Sequence, residues 1–369
     1  MALPSPSAVK EPDPRWRLYH RSQDAWQAME ADCAAARISI ECEMYIFEND
    51  ALGRRFLRLF WRKAGEGVAV RLLFDSIGSW NIRRSLRLKV LRRRGVSVAF
   101  FNPVNGWRAL RPASLLPRTH AKVMLIDSRL LHIGGVCIDG RMRRWRDTHI
   151  RVLGKVAAEA AASLDHLWRR FIGIPVSRPV ENREPLRPEG FRFATSLAGT
   201  RKNLIYREVV RHVRGAKVRV RLMTPYFIPG RMLFRLIKQQ ARRGIQVELI
   251  VSEASDVRLA DWVALSYFPS LVRAGVHVYR YLPSVMHAKV VMVDDDWATL
   301  GSMNLDHLSL FRNREANLLI TDRAAVGTLN AQFDADLAQC RLATARELLA
   351  VPPLQRLVGR IGRGFKGFL

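Results

Sequence analysis

Two histidines carry the chemistry that this sequence can offer. One opens the run His120-Ala121-Lys122-Val123-Met124-Leu125-Ile126-Asp127, and the other opens His287-Ala288-Lys289-Val290-Val291-Met292-Val293-Asp294. With six residues intervening, each aspartate is followed by a small pair, Gly134-Gly135 in the first case and Gly301-Ser302 in the second, where Asn304 follows. One match to this spacing would be weak evidence; two at the same place in a repeated chain are not coincidence. In a strand, residues i and i+2 point to one face, so each lysine shares a face with its histidine. An imidazole is nucleophilic when neutral and a proton donor when charged, and it changes form near neutral pH. Two of them suit a phosphodiester, which is anionic and has a poor leaving alkoxide. One ring attacks phosphorus while the other protonates the departing alcohol; a second alcohol then displaces the phosphohistidine with the second ring as base. Lys122, Lys289, Ser302 and Asn304 would neutralise charge on the non-bridging oxygens of the transition state. Asp127 and Asp294, at the far end of each strand, are expected to brace it through backbone hydrogen bonds. The scheme needs no metal and no cofactor.

The elements that position these groups recur in two halves. ISIECEMYIF (38–47) leads into GRRFLRLFWRKAGEG and VAVRLLF (68–74); VRVRLMTPYFIP (218–229) leads into MLFRLIKQQARRG and IQVELIV (245–251). Each half then offers a helix ending in glycine, Gly95 or Gly275, an alternating strand, and its H-x-K tripeptide. Strand and helix alternation with glycine stops argues for α/β units around largely buried sheets. The expected architecture is a pseudo-dimer of two α/β/α sandwich domains facing each other across one cleft. The expected boundaries are 1–176 for the first domain, 177–192 for a proline-rich linker, 193–345 for the second domain and 346–369 for a basic tail. That tail, ending LQRLVGRIGRGFKGFL, reads equally as a frayed end or as an amphipathic segment that touches a membrane.

Charge sets the partner class. The chain has 369 residues and a formal net charge of +28, with 61 basic and 33 acidic residues. Only ten of the basic residues are lysines, and arginine's planar fork grips phosphate with two hydrogen bonds. Such an excess points to a polyanion, either nucleic acid or an anionic membrane surface. Runs such as RRSLRLKVLRRR (83–94) and RMRRWRD (141–147) would give a basic face for lipid. Four cysteines without metal-ligand spacing suggest neither zinc nor a disulfide framework, and a reducing cytoplasm is the default. No run of 18 apolar residues occurs, so action on a membrane would come from its surface.

The duplicated H-x-K-x4-D motifs followed by GG or GS resemble those of the phospholipase D superfamily. The finer pattern is similar to bacterial cardiolipin synthases: TPYFIP (224–229), HAKVVMVDDDWATLGSMNLDHLS (287–309), NREAN (313–317), MYIF and FDSIGS (74–79). The resemblance runs from about residue 30 to 340 and looks closest to the shorter, peripheral, cardiolipin synthase B-like type. It implies that His120 is the nucleophile and His287 the general acid and base. It also implies that an acid 27 or 28 residues after each histidine, Asp147 or Glu315, orients its ring. The implied activity is transfer of a phosphatidyl group from one phosphatidylglycerol to another through a phosphohistidine, with release of glycerol. The implied partners are anionic phospholipids on the cytoplasmic face of a bacterial inner membrane. Where the second motif has Asn304, the first has Cys137, a poor hydrogen-bond donor, which weakens that side of the site. The alternatives are a phosphodiesterase acting on nucleic acid or hydrolysing phospholipid, and a catalytically inert membrane scaffold. Against nucleic acid stands the lack of an aromatic-interleaved platform for bases.

Overall fold

A computed structural model describes residues 15–104, 115–169, 190–196, 203–253, 257–344 and 352–362. The first half builds β1 (Trp16–Arg21), α1 (Ser22–Ala35), β2 (Ser39–Met44), α2 (Ala51–Gly65), β3 (Ala69–Asp75), α3 (Trp80–Arg83) and α4 (Leu86–Arg93). It continues through β4 (Ser97–Phe101), β5 (Lys122–Ile126), β6 (Leu130–Gly134), β7 (Arg146–Leu153) and α5 (Lys155–Leu167). The second half builds β8 (Phe191–Ser196), α6 (Leu204–Gly215), β9 (Arg219–Met223), α7 (Arg231–Arg242), β10 (Gln246–Ser252), α8 (Arg258–Leu265) and α9 (Phe268–Val272). It closes with β11 (His277–Tyr281), β12 (Val290–Val293), β13 (Trp297–Gly301), α10 (His307–Phe311), β14 (Glu315–Ile320), α11 (Arg323–Leu337) and β15 (Cys340–Leu342).

The repeat seen in the sequence is a repeat of topology. One sheet runs β1-β7-β6-β5-β2-β3-β4, and the other, read from its far edge, runs β8-β14-β13-β12-β9-β10-β11 with β15 added. In both, the three strands joined by crossover helices are parallel and the remaining pairings are antiparallel. Gly95 and Gly275 end α4 and α9 at the same φ of 91°, a left-handed conformation that glycine adopts without a Cβ penalty.

Side-chain alternation along β5 and β12 explains the layers. Val123 and Leu125 enter a core shared with Val290 and Met292 of the other sheet, and α5 and α11 add Val156, Leu164, Val326 and Phe333 to it. Met124 and Ile126 face the opposite way, into a second core under α1, α2 and α4. Val291 and Val293 do likewise into a third, under α6 and α7. Each sheet is therefore covered on both faces, and the two halves are joined by one continuous apolar layer. Most of the expected linker lies outside the described residues, and β8 already opens the second sheet at Phe191. Of the expected tail, the described part is a helix, Pro353–Gly362, docked on α8 so closely that a Cβ at Gly359 would lie 2.4 Å from the Trp262 carbonyl oxygen. Among the described residues no helix is long and apolar enough to cross a membrane.

Candidate active site

Two short backbone ladders between the halves bring the histidines into place. The His120 amide donates to the Arg314 carbonyl at 2.8 Å, and the Arg314 amide donates to that of Arg118 at 2.9 Å. In the mirror arrangement, His287 N donates to Arg146 O at 2.7 Å and Arg146 N to Val285 O at 3.0 Å. Each histidine is thus stitched to the residue that precedes the acid of the opposite half. The rings follow the backbone: His120 Nδ1 is 3.1 Å from both carboxylate oxygens of Glu315, and His287 Nδ1 is 2.7 Å from Asp147 Oδ2. Both expected acids contact a ring, but the partners are exchanged. The pairing within each half implied by the 27- and 28-residue spacing is corrected, because β7 and β14 deliver their first residues across the interface.

A carboxylate on Nδ1 fixes that nitrogen as the N–H donor and leaves the Nε2 lone pair for chemistry. Both rings are buried, and burial is the largest influence on each. His120 is pushed down to about 4 by burial, with Glu315 opposing and Lys122 and Lys289 adding to the fall. His287 is also lowered, by burial and Lys289, against Asp147. Asp147 stays ionised: burial raises its pKa, but His287 and Lys289 bring it below its ordinary value. Each lysine acts electrostatically on both rings, so the four groups share one site. Lys122 Nζ donates to the His120 carbonyl at 2.6 Å, and Lys289 Nζ donates to that of His287. Both ammonium groups are thereby held beside the rings.

The remaining expected residues divide. Ser302 does not point at a substrate; its hydroxyl donates to Glu315 Oε2 and accepts from the Ala316 amide at 2.9 Å. It steadies the carboxylate that steadies His120. Its counterpart Gly135 exists for a steric reason, since a Cβ there would lie 2.1 Å from Asp147 Oδ1. The glycine makes room for the acid. Asn304 is buried and bonds through its side chain to Asp306, which burial raises to about 6. Cys137 is buried at the matching place, and its carbonyl accepts from Trp26 Nε1 at 2.8 Å. Asp127 and Asp294 lie away from the rings and brace the fold. Asp127 accepts from the amides of Arg37, Ile38 and Ser39 at 2.7–3.0 Å, and Asp294 from those of Lys217, Val218 and Arg219 at 2.8–3.1 Å. Each pins the start of the neighbouring strand, β2 or β9, which runs antiparallel to its own.

Sequence reasoning left out several participants. The Tyr45 ring stands edge-on to His120 with centroids 4.7 Å apart, and Lys122 Nζ lies 5.1 Å from the Tyr45 centroid. The Trp145 ring packs 5.1 Å from His287. Arg314 forks onto Glu43 of the first half at 2.8 and 3.1 Å, and Arg146 forks onto Asp336 of the second, with its Nε at 2.8 Å. The only signal for these ties was an arginine directly before each orienting acid.

Comparison with known proteins finds a family match in each half. The family model described as cardiolipin synthase, PLD-like domain matches residues 31–168 and 209–337, one match per half. Cardiolipin synthase A of Pseudomonas entomophila (strain L48) is 31% identical over 362 residues, covering 94% of this chain and 73% of that protein. The Bacillus subtilis (strain 168) protein described as probable cardiolipin synthase YwiE is 30% identical over 312 residues, covering 81% of this chain. The match spans 61% of the length of that relative. Among solved structures, the phosphatidylserine synthase of Haemophilus influenzae Rd KW20 superposes with a TM-score of 0.76 at 16% identity, covering 96% of this chain and 95% of its own, a likeness of fold.

Proposed function

This chain belongs to the family of cardiolipin synthase, phospholipase D-like domains, and we propose that it is a transphosphatidylase that joins two phospholipids. The observation that carries the reading is the reciprocal pair: each imidazole is held on Nδ1 by a carboxylate from the other half, and each has a lysine bonded to its own backbone carbonyl. In this reading His120 Nε2 attacks the phosphorus of phosphatidylglycerol. His287, charged once an anionic phosphate has entered, gives its Nε2 proton to the glycerol oxygen, which leaves as glycerol. The glycerol hydroxyl of a second phosphatidylglycerol then attacks the phosphohistidine and returns its proton to His287. Cardiolipin and free His120 result. The lysine ammonium groups stabilise the non-bridging oxygens, whose charge is greatest in the five-coordinate state.

The proposed setting is the cytoplasmic face of a bacterial inner membrane, bound peripherally. Support comes from the shoulder formed by α2, α3 and α4. Trp61 is 43% exposed, Trp80 49%, Leu86 71% and Val90 49%. Arg94 lies 4.7 Å from the Trp61 centroid, and Arg83 and Arg84 lie 5.6 and 5.4 Å from that of Trp80. No acidic residue occurs between Asp75 and Asp127, so the stretch that holds α3 and α4 carries a surplus of positive charge. Amphipathic tryptophans among arginines are what an anionic lipid interface favours. Two residues before Trp80, Gly78 packs against the Tyr45 ring that meets His120.

The test is direct. Purified protein on phosphatidylglycerol vesicles should release glycerol and form cardiolipin, and His120→Ala should form none. Absence of cardiolipin with the wild type, or equal yields from both, would overturn the reading. Salt-sensitive cleavage of DNA abolished by His287→Ala would replace it with the nuclease.

A further inference from the structure

The site has a basic annex on the His287 side. A cavity of about 640 Å³ is lined by Arg21, Arg143, Arg144, Trp145, Arg146 and Ser284, among others. It overlaps a second cavity of about 630 Å³ that extends along β1, sharing His20, Arg21, Asp24, Arg146, Tyr281 and Gln339. The annex and the catalytic ring have a common wall. Trp145 lines the cavity and packs 5.1 Å from His287, and Arg146 lines it while its carbonyl receives the His287 amide at 2.7 Å. Arg146 is neutralised by Asp336. Arg21, Arg143 and Arg144 are not: among the described residues none of them has a carboxylate partner, and Arg143 is steadied by the neutral Gln23 side chain at 3.0 Å. Asp24 is the cavity's one further acid, leaving an excess of positive charge at its mouth.

We propose that this annex is the subsite for the phosphate of the acceptor phospholipid. The inference rests on the lipid-to-lipid transfer proposed above. In that reaction the acceptor hydroxyl must approach from the side of the ring that takes its proton, which is His287. The acceptor's own phosphate, separated from that hydroxyl by its glycerol, then lies one ring-width beyond the reacting centre, where Trp145 gives way to the arginines. Guanidinium forks hold a phosphodiester with charge-assisted hydrogen bonds. Water, free glycerol and simple alcohols have no phosphate for them to hold. The annex therefore selects a phospholipid acceptor over hydrolysis, and its volume suits a headgroup while the acyl chains stay in the bilayer.

The experiment offers both kinds of acceptor at once. Mixed micelles of phosphatidylglycerol in neutral detergent, with ethanol added, report phospholipid transfer as cardiolipin and simple-alcohol transfer as phosphatidylethanol. The double variant Arg143→Gln/Arg144→Gln should lower the ratio of cardiolipin to phosphatidylethanol by about tenfold or more, the loss expected for one or two charge-assisted bonds. Phosphatidylethanol formation should stay within about twofold of wild type, and Arg143→Lys/Arg144→Lys should recover part of the ratio. An unchanged ratio, or an equal fall of both products, overturns the subsite. If the wild type makes phosphatidylethanol but no cardiolipin, it is the lipid-to-lipid reading that fails.

Discussion

Glu315 and Asp147 act on the histidine of the half to which they do not belong, and this gives a prediction that spacing alone would get backwards. Glu315→Gln removes the charge beside Nδ1 of His120, the nucleophile of the proposed mechanism, while Ser302 keeps its place. It should lower the rate of phosphohistidine formation by about a hundredfold or more, as replacement of the orienting acid does in catalytic triads. Asp147→Asn removes the acid that supports His287, so proton delivery to the leaving alcohol and proton removal from the incoming acceptor both suffer, and breakdown of the phosphohistidine slows along with its formation. Ethanol or glycerol acceptors would then compete poorly for the trapped intermediate. Rapid-quench assays of both variants distinguish the cases, and the same pattern of loss in the two would contradict the crossed pairing. The residues that meet at the site were named from the sequence: the two motifs supplied both histidines and both lysines, and the family resemblance supplied the two acids. What each acid touches was not legible, because His120 and Glu315 are 195 residues apart and meet only when the halves dock. Ser302 looked like a substrate donor because its hydroxyl is free in sequence terms; only the fold shows it committed to Glu315.

At the level of strands, the aspartate that completes each motif is a construction element. Asp127 and Asp294 both sit at a φ of 52°, in the tight turns after β5 and β12, and both gather three amides from the start of the adjacent strand. Asp294 carries a burial cost that raises its pKa, but these amides outweigh it and bring the carboxyl below its ordinary value. Asp127→Asn should therefore cost about 1–3 kcal/mol of stability, the range for losing hydrogen bonds to a charged group. Turnover by the molecules that remain folded should be close to wild type, and chemical denaturation beside an activity assay checks both. A loss of turnover without a loss of stability would move the aspartate back into the chemistry. The strand pattern and glycine stops made these elements readable, and the bracing role followed from the aspartate's distance along the strand. The steric role of Gly135 was not readable, since it depends on Asp147 arriving from a strand that the sequence does not mark as adjacent.

Across the whole molecule, the two halves hold each other's active residues and are joined by buried charge. Arg314 is 2% exposed and Glu43 is fully buried, so Arg314→Met leaves an uncompensated carboxylate between the halves. Breaking such a pair costs about 3–5 kcal/mol, and loss of activity should accompany the fall in melting temperature because the Arg314 carbonyl also positions His120. Acid should also lower the stability of the fold. His120 is pushed to about 4, and His20 and His149 to about 3, in each case by burial first. The unfolded chain takes up these protons as pH falls below about 6.5, while the folded chain does not until near 4. Stability should accordingly be full above pH 6.5 and fall steadily toward pH 4, measured as melting temperature against pH. A flat profile over that window would mean that the rings are not neutral in the fold.

The central claim is that one phosphorus atom is served by both rings at once. Soaking the protein with orthovanadate, which adopts the five-coordinate geometry of the transition state, and determining the structure tests it most directly. Vanadium should be bonded to Nε2 of His120, with Nε2 of His287 hydrogen-bonded to the oxygen in line and opposite, and both lysine ammonium groups on the equatorial oxygens. Vanadate held by one half alone, with the other ring turned to a separate pocket, would contradict the account.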